Sequence, residues 1–236
     1  MQANFRHAIH EFEHVYAVVV LSMLSLLWSK SSQSHSELSI SCLVDLCESR
    51  PIRDSYMTLT YGLLGRLLLI PIIVTTQNSE KLGETIPSIT GRLPEQAVCH
   101  DKSLFSMLEE PVMEEIKRIN PDHIVIVGIE TQICISQTAL GKTYLSLKLI
   151  TLLTLEAALR SKDYQVTVLA DAVSSSSAWE KSLALQRLRS NGVDVNSLES
   201  WLFESTVGST HPRFRELSST IKKYKKAKRN GPRSAL

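Results

Sequence analysis

The stretch His123 to Ala139, HIVIVGIETQICISQTA, constrains this chain more than any other. It begins with HIVIVG, a continuous β-branched run long enough for one strand. Apolar on both faces, such a run suits a parallel sheet covered by helices on both sides. Gly128 ends the run, GIETQIC reads as a polar turn, and ICISQTA has helix-compatible spacing. Strand, tight turn and helix together place Cys134 at the carboxyl end of a strand and the start of a helix. Exposed N–H groups there favour negative charge, so the spacing predicts a lowered thiol pKa and a reactive thiolate. The competing reading is ordinary: a lone cysteine after a strand is more often a small buried hydrophobe.

Three further segments extend the pattern. Leu67 to Thr76, LLLIPIIVTT, predicts a buried strand from Ile70 or Pro71. Gln96 to Leu108, QAVCHDKSLFSML, predicts a short strand, a polar turn and then an irregular or helical piece; Lys102 falls in the turn. Tyr164 to Ala172 predicts another strand. Between them, Pro111 to Ile119 has proline in its first turn, acids early and Lys117 and Arg118 late, which predicts a helix stopped by Asn120-Pro121. A helix over Trp179–Ser190 is expected, capped by Ser177 or a neighbour and ended by Asn191-Gly192. ESWLFE, Glu199–Glu204, suits a last strand and His211–Lys223 a final helix. Strands near 70–75, 96–100, 123–128, 164–170 and 199–203 alternating with helices predict an α/β fold, a Rossmann-like parallel sheet with helices on both faces. Such sheets gather strand ends, and with them Lys102 and Cys134, at one edge.

GIETQICISQTA resembles the nucleophile motif of the isochorismatase-like cysteine hydrolases, specifically the isochorismatase domain-containing proteins. The resemblance makes Cys134 the catalytic nucleophile. Lys102 matches the family's lysine motif, in which Lys precedes a Phe-Ser pair (here Phe105-Ser106); composition alone would leave it a solvated surface lysine. The family has IPVIVT where this chain has IPIIVT, and Gln77, Lys81, Gly83 and Thr85 match the loop after that strand, with Gln77 in a substrate-facing loop. Nicotinamidase relatives carry a metal-binding Asp-x-His-x-x-x-His set in that loop. QNSEKLGET has neither Asp nor His, so no metal or other cofactor is expected.

The resemblance also implies a mechanism: hydrolysis of a small amide-type substrate through a thioester on Cys134. Lys102 would hold the charges, and backbone N–H groups of the Ile129, Glu130, Thr131 turn would stabilise the oxyanion. Relatives have a cis peptide at the position of Ile129–Glu130. The family's second catalytic residue, an aspartate, ends a first strand written Asp-Met-Gln. NFRHAIHEFEHV matches the family's residues just after that motif, so strand and aspartate are expected to lie before Met1, in an N-terminally truncated chain with impaired activity. The alternative is a catalytically silent binding or scaffold protein of the same fold.

Other segments depart from the family. Ile9, Phe12 and Val15 have helical spacing. Val15–Trp28, VYAVVVLSMLSLLW, is too short for an ordinary membrane span and lacks the basic leader of a signal peptide, so a buried helix or a non-native extension is expected. Ser29–Ser41 reads as a loop. Ile40–Leu46 could form a strand whose Asp45 superficially resembles the missing aspartate. Residues 18–65 and 140–156 read as atypical segments within one domain over 1–224, followed by a basic tail, 225–236, expected to be disordered. A net charge of +2 supports no nucleic-acid partner, and no membrane partner is expected. The cysteines, Cys42, Cys47, Cys99 and Cys134, lack zinc spacing and suit a reduced, cytoplasmic protein. A small-molecule substrate is expected; self-association, common among relatives, is left open by the residues.

Overall fold

The computed structural model describes residues 16–21, 68–85, 87–141, 164–206 and 208–230. Their strands are β1 Tyr16–Leu21, β2 Ile72–Gln77, β3 Val98–Lys102, β4 His123–Ile129, β5 Gln165–Ser174 and β6 Asp194–Asn196. They form one six-stranded sheet in the order β3-β2-β1-β4-β5-β6, every pairing parallel. This is the doubly wound order, whose ligand crevice lies outside the carboxyl ends of the strands.

The expected double-sided burial is what β4 shows. Ile124 and Ile126 enter one core with Val112, Ile116, Ile135 and Leu188. Val125 and Val127 enter a second core on the opposite face, with Trp201, Leu202, Leu217 and Ile221. Alternate side chains of a strand point to opposite faces, so a run with no polar residue needs helices on both. The first face is covered by α3, Glu110–Ile119, and α5, Ala178–Ser190; the second by α6, Leu198–Ser205, and α7, Phe214–Asn230. The short helix α1 at Ser79–Leu82 comes directly after β2, and a second, α2 at Pro87–Thr90, comes before β3. The helical stretch after β4, numbered α4, carries the candidate site.

Local signals set several boundaries as expected. Ser177 caps α5, its side chain accepting from the Glu180 N–H, and Gly192 stands just beyond with φ 80°. Asn120 ends α3 in the left-handed region, its N–H donating to the Ile116 carbonyl.

Three expectations are corrected. The apolar run at 15–28 reads as a helix or an extension, yet Tyr16–Leu21 is a strand in the middle of the sheet, paired with β2 and β4. A β-branched run such as VVV meets the demand of a two-sided sheet for apolar residues better than that of a one-sided helix. The sheet therefore has a strand at its centre; the family strand expected before Met1 concerns residues outside the sequence. Second, 199–203 is not a strand. Leu198, Trp201, Leu202 and Ser205 are the buried positions of α6, at helical spacing, and Ser197 caps it by accepting from the Ser200 N–H. The last strand is the shorter Asp194–Asn196. Third, the final helix starts at Phe214 and runs past Lys223 to Asn230, taking in the first part of the basic segment. The expectations for residues 1–15, 22–46 with Asp45, 50–65 and 142–156 lie outside the described residues.

Candidate active site

β4 ends at Ile129, and the peptide joining Ile129 to Glu130 is cis, as the resemblance implied. The chain then enters α4, which opens as a π-helical turn, Thr131–Ile135, and continues as α-helix through 136–141. Cys134 sits in this turn with 8% of its surface exposed.

Buried hydroxyls hold the turn. Thr131 Oγ1 donates to the Ser174 carbonyl at the end of β5, 2.8 Å away. Ser136 Oγ donates back to the Thr131 carbonyl at 2.7 Å. Thr138 Oγ1 donates to the Cys134 carbonyl at 2.7 Å and accepts the Met107 N–H at 3.0 Å. Thr138 thus ties the helix carrying Cys134 to the segment after β3. Gly128, with φ 125°, lies where the β4–β5 register shifts, from Ile126 opposite Val168 to Gly128 opposite Val173. The shift leaves extra residues on β5, and pairing resumes at Gly128 and Ile129, just before the turn.

Lys102 is the last residue of β3, not a residue of the turn after it. Val98, His100 and Lys102 share the inward side of that edge strand, and Lys102 itself is 2% exposed. Its Nζ lies 3.8 Å from Cys134 Sγ. β3 and β4 are not sheet neighbours, so the pair meets across the carboxyl edge of the sheet. Nζ also donates to the carbonyls of Leu104 and Phe105, at 2.9 and 3.1 Å, and to Gln77 Oε1. Gln77, the last residue of β2, donates its Nε2 to the Ser103 carbonyl at 2.8 Å.

The electrostatics reverse one expectation. Burial pushes the Cys134 thiol up; the Lys102 ammonium and a backbone hydrogen bond from Glu130 oppose this without cancelling it, and the Glu130 carboxylate adds to the rise. The predicted lowered pKa is therefore corrected to a raised one, because desolvation of a nearly enclosed thiolate outweighs the adjacent cation. Burial likewise pulls Lys102 down, opposed by Cys134 and by Glu109. The enclosed site disfavours both charges, and each partner restores part of the other.

The remaining expected residues are spread around this pair. Ile129 is buried. Glu130 turns its carboxylate to the Ser176 N–H at 2.8 Å and to Gln132 Nε2 at 3.0 Å. Thr131 faces β5. Thr138, Glu109 and Ser176 escaped the sequence reading. Thr138 stands four residues after Cys134, one helical turn on, which was a usable signal. Glu109 Oε1 accepts the N–H groups of Ser103 and Leu104, at 2.9 and 2.7 Å, and nothing in the local sequence announces it. Among the described residues no three His, Cys, Asp or Glu side chains group as a metal site, and no helix is long and apolar enough to cross a membrane.

This geometry can be set beside known proteins. The isochorismatase domain model matches residues 65–146. The secreted isochorismatase effector Isc1 of Phytophthora sojae is 33% identical over 166 residues, which cover 69% of this chain and 71% of that protein. Isochorismatase domain-containing protein 2 of Danio rerio is 33% identical over 157 residues, 66% of this chain and 70% of the relative. A solved structure of a MAR1 ribonuclease from Caenorhabditis elegans superposes with a TM-score of 0.63 at 25% identity, covering 94% of this chain and 97% of that one. YcaC from Pseudomonas aeruginosa shares the fold at 15% identity, with a TM-score of 0.65 over 91% of this chain and 93% of that one. With an α/β sheet of this order and relatives at that level of identity, the chain belongs to the isochorismatase-like hydrolase family.

Proposed function

We propose that the chain is a thiol-dependent hydrolase of a small amide-type substrate. The observation that carries this is the enclosed Cys134–Lys102 pair, 3.8 Å apart, at the strand edge where such sheets bind ligands. Cys134 Sγ attacks the amide carbonyl, the C–N bond breaks, and the thiol proton leaves with the amine. Water then cleaves the thioester, releasing the carboxylic acid and restoring the thiol. Lys102 supplies positive charge beside the sulfur, and the backbone of the Ile129–Thr131 turn faces the developing oxyanion. Among the described residues no carboxylate hydrogen-bonds to the Cys134 thiol, so slow turnover is the expected behaviour.

The test incubates the folded chain with a panel of small primary amides and tracks ammonia release and the intact mass. Slow release with an acyl adduct on Cys134, both lost in Cys134→Ala, is the expected result. Folded protein with neither adduct nor release moves the reading to a binding protein, which the raised thiol pKa favours. A cytoplasmic home and a homo-oligomeric state belong to the same proposal. YcaC from Escherichia coli, of the same fold, is described as an octameric hydrolase. Subcellular fractionation and light scattering check the two points.

A further inference from the structure

Gln77 is the side chain that reaches the Lys102 ammonium from a neighbouring strand, beside the thiol and the two carbonyls of the lysine's own loop. Its orientation is not ambiguous. The Ser103 carbonyl can only accept, so the amide nitrogen must face it, and the amide oxygen is left facing Nζ. An ammonium has three N–H donors. Here three oxygens await them, those of Gln77, Leu104 and Phe105, with the sulfur as a fourth acceptor. A neutral amine would leave an oxygen facing its lone pair.

We infer that Gln77 is a positioning residue that, with the Leu104 and Phe105 carbonyls, holds Lys102 as a charged ammonium beside Cys134. This rests on the thiol–lysine reading above and deepens it: Lys102 serves the sulfur as a fixed cation instead of a proton carrier. It also reassigns Gln77, expected in a substrate loop, to the lysine. Among the described residues, the charged groups facing this pair are Glu109 and Asp101 on the lysine side and Glu130 on the thiol side. These carboxylates act on the pair through space, whereas Gln77 hydrogen-bonds to Nζ directly.

The experiment needs no substrate. The rate of iodoacetamide alkylation at Cys134, read by mass spectrometry of its peptide, is measured against pH for the unmodified chain, Gln77→Met, Lys102→Met and the double variant. Lys102→Met is expected to move the midpoint to higher pH. Gln77→Met should move it the same way by about one unit, a tenfold loss of thiolate, as suits a lost hydrogen bond to a charged group. In the Lys102→Met background Gln77→Met should add nothing. A Gln77→Met shift of equal size in both backgrounds, or none in either with the melting temperature retained, overturns the positioning role alone. A Lys102→Met variant with an unmoved midpoint overturns the thiol–lysine reading itself.

Discussion

The two halves of the site are held in different ways. Cys134 stands on a turn locked into the core: Thr131, Ser136 and Thr138 are each no more than 4% exposed, and each hydroxyl bonds to a backbone carbonyl. Lys102 leaves a buried strand end and has Gln77 of β2 as one partner, but two others are carbonyls of the segment 103–108, where Leu104 and Phe105 are 59% and 54% exposed. Two backbone carbonyls of an exposed loop thus join Gln77 in carrying the cation, while buried hydroxyls carry the turn of the thiol. Buried bonds resist opening, whereas loops open at low cost. The sulfur's support therefore lies wholly in the core, whereas the ammonium's is shared between the Gln77 side chain and an exposed loop.

The largest break in that comparison is at the sulfur. Cys134→Ala should remove hydrolysis by a factor of about 10⁴ or more, as loss of a nucleophile does, with little change in the melting temperature. Next is the link between halves. Thr138→Val leaves the buried Met107 N–H without its acceptor, and should cost about 1–3 kcal/mol in urea unfolding. It should also lower turnover, because the loop then shifts relative to the thiol. Glu109→Ala frees the N–H groups of Ser103 and Leu104 and should cost only about 1 kcal/mol. Its sharper signature is faster hydrogen exchange at those two amides with no change around Thr131–Thr138. Equal acceleration on both sides would show the halves to be one cooperative unit.

The smallest effect is in the pH dependence of stability. The native state holds the Cys134 proton above the ordinary thiol value of 9.0, so the folded form binds more protons than the unfolded one there, and stability falls as pH rises through that range. Lys102 is pulled below its ordinary 10.5, so the folded form sheds that proton first and the slope has the opposite sign just under that value. Cys134→Ser removes the first contribution and, with the thiolate gone, deepens the fall of the Lys102 pKa, so both changes act in the same direction. Its stability should decline less across the pH range just above the ordinary thiol value of 9.0 than that of the unmodified chain, which denaturant titrations at each pH would reveal.

Much of this was legible in one dimension. HIVIVG read as a two-sided strand because its short length, its β-branched residues and Gly128 at its end all agreed, and burying its Ile and Val side chains stabilises by about 1.5–3 kcal/mol each. Proline and acids at the start of α3, Ser177 before α5 and Gly192 after it are local signals acting over a few residues, so their elements came out close to expectation. The strand–turn–helix around Cys134 was readable for the same reason, whereas Lys102 was expected in the turn after its strand and stood out only through the resemblance to the family's lysine motif.

Tertiary structure decided the rest. A short apolar run such as Tyr16–Leu21 has no intrinsic preference strong enough to choose strand over helix; the open place between β2 and β4 chose for it. ESWLFE fits either period, and burial of Trp201 and Leu202 against the sheet selected the helix. The direction of the Cys134 pKa could not be read from its place at a helix start, because desolvation depends on how much of the protein closes over the sulfur. Nor could the partners of Lys102 be read from the sequence: Gln77 lies 25 residues away, and only the parallel pairing of Gln77 with Lys102 across β2 and β3 makes them neighbours.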